Sequence, residues 1–324
     1  MIDVVARFGK CNSRFIILPN IGRVLSVDEM AALNKALMDG LNMPVADPDS
    51  RIAPHGPVVL AKHEFIWIKD YLYKRAGIAL NDSKQALVSG RLDKRLRHYG
   101  LSSYSEYFHL LDKPGSEQEA LMVIDLLTTN ETYFFREPQH FEFLKSHFFP
   151  MHPASRPLRF WSAASSSGEE AYTLAMLAAE FSKTEHWEII GTDISTRVLE
   201  KARRGLYPIS AAEKIPTSLL KKYCLKGNGE YEGFFLVDWV LHSRVKFMYV
   251  NLIDKLPDLG CFDVIFLRNV MIYFDMATKQ RLVERIQHYL QPGGYFFISH
   301  SESLSGIKCD LQMVSPSVYQ KTEE

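Results

Sequence analysis

The sequence predicts an α/β protein in which a doubly wound, largely parallel sheet follows a small all-helical domain. From about residue 157 onward, short apolar runs such as LRFWSAA, FDVIF and YFFIS alternate with amphipathic stretches such as KQRLVERIQHYL. Strands that are apolar along their whole length lie buried on both faces, between helices. Between residues 63 and 127 apolar residues instead recur at helical spacing, which predicts a bundle of helices without a sheet.

The composition is that of an ordinary globular protein and excludes several functional classes. The chain has 324 residues, of which 47% are hydrophobic, enough for one large or two modest domains. Because 38 basic residues balance 38 acidic ones, a dedicated nucleic-acid binder is disfavoured. Four cysteines without CxxC spacing argue against a disulfide framework or a structural zinc site, and favour the cytosol. Without a signal peptide or an apolar run of about 18 residues, we expect a soluble protein and no membrane insertion.

Residues 1–55 form a segment of little periodicity that ends in a cluster of proline, glycine and aspartate. Such clusters are typical of linkers, so we predict a poorly defined extension there. Residues 56–127 follow as the helical domain. Phe65, Ile68 and Leu72 share one face of its first helix, which we expect to lie in the core.

The second helix of this domain, SKQALVSGRLDKRLRHYG, is predicted to begin after Asn81 or Asp82 and to bury Leu92 and Leu96. Four basic residues are expected to point largely outward from it, and these are Arg91, Lys94, Arg95 and Arg97. Two shorter helices follow, SYSEYFHLL and EQEALMVIDLL. Together the helices form a small bundle.

Residues 128–324 are predicted to form the sheet domain, with its ligand crevice beyond the carboxyl ends of the strands. Within it, the stretch from about residue 207 to 248 contains GNGEYEGFFLVDWVLHSRVKF, which alternates like antiparallel strands. Gly227 and Gly229 are its turn formers. The stretch is either a small antiparallel subdomain or an edge of the main sheet.

The turn AASSSGEE follows the first strand of this domain and is acidic. Gly168 permits a tight turn, and serine hydroxyls and backbone N–H groups converge there at a helix N-terminus. Glu169 and Glu170 suit the helix dipole, and they would repel a pyrophosphate. A turn with one glycine and two carboxylates therefore favours a cofactor with an amine or a sulfonium, and disfavours a nicotinamide-dependent oxidoreductase.

Polar side chains also follow the next strands. Asp193 lies 25 positions after Gly168, where a carboxylate can bind the ribose hydroxyls of an adenosine or cap the helix that begins at Ser195. Its pairing with the acidic turn favours ribose binding. Asn269 follows FDVIF and can bind an adenine or the main chain of a ligand. Tyr273 either reaches the same crevice or is a core residue with a satisfied hydroxyl.

The stretch LLTTNETYFFRE places Asn130, Thr132 and Arg136 among aromatic residues just before the sheet. Such polar groups are either a capping network or part of a site. The three histidines His140, His147 and His152 lack HExxH-type spacing, which disfavours metal ligands. The serines of the acidic turn do not form a GxSxG elbow, which disfavours a serine hydrolase.

Four motifs, in this order, resemble the chemotaxis receptor methyltransferases of the CheR type, which use S-adenosylmethionine to methylate glutamate side chains of bacterial chemoreceptors. The motifs are TTNETYFFRE, WSAASSSGEEAYTLAM, GTDISTRVLEKARRGLY, and FDVIFLRNVMIYFD with PGGYFFISHSESL behind it. With the helical bundle they cover about 260 residues, and as a set they are highly specific. The resemblance implies a helical N-terminal domain, a Rossmann-like methyltransferase domain with a three-stranded antiparallel subdomain, and a cytoplasmic enzyme of chemotaxis signalling.

The resemblance also implies a set of site residues. Carried over by motif, the S-adenosylmethionine contacts are Asn130, Thr132, Arg136, Glu169, Asp193, Asn251, Leu252, Asn269 and Val270. Arg136 and Tyr273 are nearest the transferred methyl group and are the expected catalytic residues, and no metal is expected. Glu170 stays open as the alternative to Glu169. The turn departs conservatively from the family pattern at Ser165, Ser167 and Ala171.

The resemblance implies methyl-accepting chemoreceptors as partners of a monomeric enzyme, and S-adenosylhomocysteine as its product. The basic helix face can dock on acidic methylation helices by charge complementarity, or it is simply solvated. The antiparallel subdomain can add a receptor's C-terminal pentapeptide as an extra strand, or it is a structural edge. A non-catalytic scaffold and a nucleic-acid substrate are disfavoured, the first by the complete set of site residues and the second by the neutral charge.

Overall fold

The computed structural model describes residues 58–322 and, ahead of them, two short strands, β1 (Lys10–Cys11) and β2 (Arg14–Phe15), which pair antiparallel. Apart from these strands, the predicted extension over residues 1–55 lies outside the described residues. Among the described helices, none has the length and apolar character needed to cross a membrane.

Four helices form the first unit of the described chain, and they are α1 (Lys62–Ala76), α2 (Gln85–Tyr99), α3 (Tyr104–Leu111) and α4 (Glu117–Leu127). Their apolar faces meet in one core, in which Ile68, Leu72 and Leu92 are fully buried. This confirms the predicted helical bundle. The predicted caps of α2 are wrong, because a 3₁₀ turn over Asp82–Lys84 precedes the helix and neither Asn81 nor Asp82 caps it with its side chain.

The main sheet has seven strands, numbered in chain order, and they are β3 (Leu158–Ser162), β4 (Trp187–Asp193), β8 (Val245–Tyr249), β9 (Phe262–Phe266), β10 (Leu290–Phe297), β11 (Leu311–Ser315) and β12 (Val318–Lys321). Their order is β11-β12-β10-β9-β3-β4-β8. The five strands from β10 to β8 run parallel, and β12 and β11 add antiparallel pairs at one edge. This confirms the predicted doubly wound sheet.

Helices cover both faces of this sheet, and the long ones are α7 (Glu169–Phe181), α8 (Thr196–Arg204) and α11 (Met276–Ile286). Shorter helical segments are α5 (Pro138–Phe143), a π turn (Leu144–Phe148), α6 (Phe149–Met151), α9 (Thr217–Tyr223) and α10 (Trp239–His242). Neighbouring residues of a strand serve opposite cores. Phe160 of β3 packs in the core that contains Leu174 of α7, and Trp161 in the core that contains Leu282 of α11.

A small antiparallel sheet lies beside the main one, and its strands are β5 (Leu206–Pro208), β6 (Cys224–Lys226) and β7 (Phe234–Val237), in the order β5-β7-β6. The predicted stretch ran to about residue 248, and its last part belongs to β8, which pairs parallel with β4 as an edge of the main sheet, the alternative left open above. β8 alternates because it is the edge strand of the main sheet and exposes one face. The turn after β6 requires glycine, since a Cβ on Gly227 would lie 2.0 Å from the carbonyl oxygen of Tyr231.

The end of α1 packs against the carboxyl-end loops of the main sheet. The Asn251 amide donates a hydrogen bond to the carbonyl oxygen of Arg75 at 2.8 Å, and the backbone N–H of Ala79 donates to the carbonyl oxygen of Tyr273 at 2.8 Å. Gly77 ends α1 in the left-handed region, with φ 71°, and a Cβ there would lie 2.6 Å from a methyl group of Ile253. The helical unit therefore forms part of the wall around the strand ends.

Candidate functional site

A cleft opens at the carboxyl ends of β3, β4 and β9, where an open parallel sheet leaves room for a ligand. Its empty volume is about 930 Å³, which includes the open mouth of the cleft. Its walls come from the segments 128–136, 163–166, 193–194, 250–252 and 268–274. The helical unit contributes Ala76 and Ile78, at the end of α1, to the wall of the cleft.

The structure brings nearly all of the predicted site residues to this cleft. Those that line it are Asn130, Thr132, Arg136, Asp193, Asn251, Leu252, Asn269, Val270 and Tyr273. They come from separate segments of the chain, so the meeting of their side chains depends on the fold. Glu169 is the exception, because Glu170 lines the cleft in its place.

The turn after β3 has an unusual backbone conformation that its contacts maintain. Ser166 has φ 47° and Gly168 has φ 97°. A Cβ on Gly168 would lie 2.9 Å from the Cβ of Ala202 in α8, so only glycine allows this approach. The hydroxyl of Ser166 donates to the carbonyl oxygen of Asn130 at 3.0 Å. These contacts tie the turn to α8 and to the segment before the sheet.

The two glutamates of this turn have different surroundings, since neighbouring residues of a helix point about 100° apart. The Glu169 carboxylate accepts hydrogen bonds from the Ser167 hydroxyl at 2.8 and 3.0 Å and lies away from the cleft. The Glu170 carboxylate accepts from the Ser162 hydroxyl at 2.7 Å and lies 3.6 Å from Nε of Arg268. Burial raises the pKa of Glu170, and Arg268 opposes that shift. Of the two glutamates, Glu170 therefore lines the cleft, whereas the cofactor contact predicted for Glu169 stays a prediction.

Asp193 ends β4 with a buried carboxylate that accepts two backbone hydrogen bonds, from the N–H groups of Ser166 and Ser195, both at 2.9 Å. Burial raises the pKa of this carboxyl to about 6. Ser195 caps α8, because its hydroxyl accepts from the N–H of Val198 at 3.3 Å. Asp193 is thus not the side-chain cap of α8, and it faces the cleft.

Left-handed backbone is concentrated around the cleft. Among the described residues, the non-glycine residues with positive φ are Phe135, Glu137, Ser166, Asn269 and Ser317. Ser166 and Asn269 line the cleft, and Phe135 and Glu137 flank Arg136, which also lines it. Such conformations persist where the surrounding contacts enforce them, and they cluster at functional sites.

Arg136 and Tyr273 are both half-buried and contribute to the cleft from different segments. Nη1 of Arg136 donates to the carbonyl oxygen of Glu131 at 2.6 Å, and the guanidinium lies 5.7 Å from the ring centre of Tyr133. Tyr273 ends the 3₁₀ turn Met271–Tyr273. Both side chains therefore line the cleft and can contact a ligand bound there.

Sequence reasoning missed Arg268, a cleft residue at the end of β9 with only 5% of its surface exposed. Its Nη2 donates to the carbonyl oxygen of Arg136, and its Nε lies 3.6 Å from carboxylate oxygens of both Glu137 and Glu170. The signal was present, because a charged residue that follows the apolar run VIFL is costly to bury unless it is paired.

Glu137, His140 and His300 bring one ligand atom each within 4.8 Å of one another. The spacing argument against His140 could not foresee this, because His300 follows β10 and is distant from His140 in the sequence. Burial and the nearby Arg268 lower the pKa of His140 to about 3, so its ring is neutral. The guanidinium of Arg268, 3.6 Å from the Glu137 carboxylate, disfavours a second cation at this place.

Two of the four basic residues predicted to face outward from α2 are engaged inside the helical unit. Arg95 donates hydrogen bonds to both carboxylate oxygens of Glu119, and the one from Nε measures 2.8 Å. Nη1 of Arg91 donates to the carbonyl oxygens of Leu126 and Thr128, both at 3.0 Å. Both side chains are half-buried, so the outward direction predicted for these two arginines holds only in part. Sequence periodicity missed this because a long arginine side chain can reach back over the neighbouring helix.

The other two basic residues of α2 are exposed, as predicted. Lys94 and Arg97 lie on the surface of the helical unit, and Arg97 forms an ion pair with Asp93 at 2.6 Å. The basic surface of α2 therefore consists of these two residues.

Comparison with known proteins gives consistent matches over most of the chain. The model of the CheR methyltransferase SAM-binding domain matches residues 130–319, and that of the CheR methyltransferase all-alpha domain matches residues 63–128. The chemotaxis protein methyltransferase of Salmonella typhimurium is 37% identical over 270 residues, which are 82% of this chain and 93% of that protein. Chemotaxis protein methyltransferase 2 of Pseudomonas aeruginosa is 40% identical over 261 residues, 80% of this chain and 92% of that protein.

Proposed function

The chain belongs to the CheR methyltransferase family, and from this membership we propose that it converts glutamate side chains of chemoreceptors to methyl esters. It is an S-adenosylmethionine-dependent chemotaxis methyltransferase. The observation that supports the proposed acceptor is the composition of the cleft. It combines largely buried carboxylates, suited to a cationic cofactor with a ribose, with a half-buried arginine suited to an anionic acceptor.

The polar groups of the cleft fit S-adenosylmethionine. Asp193 offers a carboxylate whose pKa burial raises to about 6, and ribose hydroxyls would donate hydrogen bonds that favour its ionised form. Glu170 offers a carboxylate for the ammonium group of the amino-acid tail. Asn269, Val270 and Leu252 would contact the adenine. The further contacts that we propose are Asn130, Thr132, Arg136 and Asn251.

The proposed reaction needs alignment more than acid–base catalysis. Bound S-adenosylmethionine supplies a methyl group activated by a sulfonium. A glutamate acceptor is already ionised at neutral pH, so the protein need not supply a general base. What the protein contributes is orientation of the acceptor and exclusion of water from the cleft.

Arg136 and Tyr273 are the residues that we propose to orient the acceptor. The guanidinium of Arg136 is anchored by one nitrogen on Glu131, and its remaining donors can hold a carboxylate through charge-assisted hydrogen bonds. The Tyr273 hydroxyl can donate to the second oxygen. Neither group has to remove a proton from the acceptor.

The acceptor is tested by incubating the protein with methyl-labelled S-adenosylmethionine and membranes that contain chemoreceptors. We expect label on the receptors that mild base releases as methanol, because a carboxyl methyl ester is base-labile. Label that survives base treatment would indicate a nitrogen or sulfur acceptor and would contradict the proposal. Membranes from cells without chemoreceptors are the control for labelling of other proteins.

We propose that Lys94 and Arg97 provide the contact of α2 with acidic methylation helices of the receptor. Both side chains are exposed, whereas Arg91 and Arg95 are used within the helical unit. Long-range attraction between exposed charges would then raise the association rate and would weaken with salt.

We propose further that the three-stranded sheet binds a receptor's C-terminal peptide as an added strand on β6. β5 ends in Pro208, which cannot donate a backbone hydrogen bond, whereas β6 has no strand on its outer side among the described residues. Calorimetric titration with a receptor tail pentapeptide ending in an aromatic residue tests this. No heat at millimolar peptide would exclude the added strand.

A further inference from the structure

Arg268 carries a charge in the cleft that none of the roles above uses. We propose that Arg268 is a positioning residue, which fixes the Glu170 carboxylate for the ammonium of the cofactor's amino-acid tail and fixes the backbone that carries Arg136. The inference rests on the proposed role of Glu170 in cofactor binding and is independent of the acceptor.

One guanidinium joins three segments of the chain. Arg268 follows β9, its Nη2 donates to the carbonyl oxygen of Arg136, and its Nε lies 3.6 Å from carboxylate oxygens of Glu137 and Glu170. The rings of Phe141 and Phe266 lie 5.5 Å from its central carbon. Two aromatic faces and two carboxylates leave this side chain little freedom.

The segment that Arg268 holds is strained. Phe135 and Glu137, on either side of Arg136, have φ 56° and 57°. Two non-glycine residues in the left-handed region need outside contacts to stay there. The N–H of Phe135 donates to the Thr173 hydroxyl at 3.2 Å, and the Arg136 carbonyl, between the two strained residues, has Arg268 as its donor. Loss of Arg268 would therefore remove the donor that holds the carbonyl of Arg136.

The charge of Arg268 is needed as well as its hydrogen bond. Nε and Nη1 make no hydrogen bond although both are buried, so the cation is stabilised by the two nearby carboxylates. The charged groups that face Glu170 are Arg268, Glu137 and Arg136. Burial raises the pKa of Glu170, and Arg268 is the largest influence against it. Without that cation, Glu170 would take up a proton more readily and would lose its attraction for an ammonium group.

The test compares two ligands that differ in the amino-acid tail. S-adenosylhomocysteine has the complete tail, and 5′-methylthioadenosine has none. We expect Arg268→Gln to weaken S-adenosylhomocysteine about tenfold, the loss typical of one hydrogen bond to a charged group, and to leave 5′-methylthioadenosine unchanged within about threefold. Arg268→Lys keeps the charge and should recover part of the affinity. Calorimetry on the full chain gives both dissociation constants without any acceptor protein.

Arg159→Gln is the matched control, because Arg159 also contacts both a carboxylate and an aromatic ring. Its Nε donates to the Glu188 carboxylate at 2.7 Å, and its guanidinium lies 4.6 Å from the ring centre of Phe262. It lies near the amino end of β3, away from the cleft. We expect it to lower the melting temperature and to leave both affinities unchanged.

The pH dependence separates positioning from a purely structural role. In Arg268→Gln, the affinity for S-adenosylhomocysteine should begin to fall at a higher pH than in the parent as the pH is lowered, because loss of the Arg268 cation raises the pKa of Glu170 further. Arg268→Lys should keep a nearly parental profile. Equal weakening of the two ligands, or a parental pH profile in Arg268→Gln, would overturn the proposal.

If Arg268→Gln does not fold, the same two ligands are measured on Arg268→Lys, and equal losses of affinity for both ligands there overturn the proposal. Failure of receptor methylation would contradict the proposed acceptor only and would leave these binding results intact.

Discussion

The two arginines Arg95 and Arg268 are both held by carboxylates, but their surroundings differ. Arg95, in the helical unit, donates to both oxygens of Glu119, which also accepts hydrogen bonds from Tyr99 and Tyr107. Arg268, in the cleft, leaves two nitrogens without hydrogen bonds and has its nearest carboxylate oxygens at 3.6 Å. The first cluster is complete within the fold. The second leaves buried donors of Arg268 without hydrogen bonds.

The backbone repeats this contrast. In the described part of the helical unit, the residues with positive φ are all glycines, and they are Gly77, Gly100 and Gly115. Around the cleft, Phe135, Glu137, Ser166 and Asn269 adopt such conformations with side chains attached. Satisfied hydrogen bonds and glycine turns stabilise a fold, whereas incomplete pairs and strain weaken it and are kept where function needs them.

The largest effect that we expect concerns the complete cluster. Arg95→Met leaves the buried Glu119 without its cation and should lower the free energy of unfolding by about 3 kcal/mol, measured by urea denaturation. The ratio of affinities for S-adenosylhomocysteine and 5′-methylthioadenosine should stay parental. Arg97→Met, which removes an exposed pair with Asp93, is the control and should cost less than about 1 kcal/mol. If Arg95→Met also cost less than about 1 kcal/mol, the contrast between the stabilising Arg95 cluster and the Arg268 cluster would be contradicted.

The next effect concerns turnover. Arg136→Ala should lower kcat for receptor methylation by about 100-fold or more, since the acceptor carboxylate loses the group that holds it in line. The melting temperature should change little, because Arg136 is half-buried and makes one hydrogen bond to its own segment. Arg136→Lys should recover part of the rate. A parental rate in the alanine variant would show that the acceptor is held by another residue.

The third effect tests the assignment within the acidic turn. Glu170→Gln should weaken S-adenosylhomocysteine between about 10- and 100-fold, because the ammonium of its tail loses a charged partner. Glu169→Gln is the matched variant one position away, and it should change this affinity by less than about threefold because Glu169 lies outside the cleft. The reverse order of losses in calorimetry would restore Glu169 as the cofactor ligand.

The smallest effect concerns the exposed basic residues. Reversing the charges of Lys94 and Arg97 together should lower kcat/KM for receptor methylation a few-fold at low salt, and the difference should shrink near 0.5 M salt as screening increases. Cofactor affinity should not change. A loss that is the same at all salt concentrations would point to a structural effect on α2.

Much of the cleft was predictable because strand ends are visible in the sequence. Asp193 and Asn269 each follow an apolar run, and parallel strands bring such residues to one edge of the sheet. The choice between Glu169 and Glu170 was not predictable, because it depends on the rotation of α7 about its own axis. Arg268 was missed because its partners Glu137 and Glu170 are distant in sequence.

The sequence by itself determined the helical bundle, the parallel sheet and the family, because periodicity, turn residues and motifs are local properties of the chain. Tertiary structure alone decided which acidic residue faces the cleft, where the chain from Val245 to Tyr249 pairs, and which basic residues of α2 remain exposed. These features depend on contacts between segments far apart in the chain. Side-chain direction and pairing are set by packing between elements, and local sequence does not encode that packing.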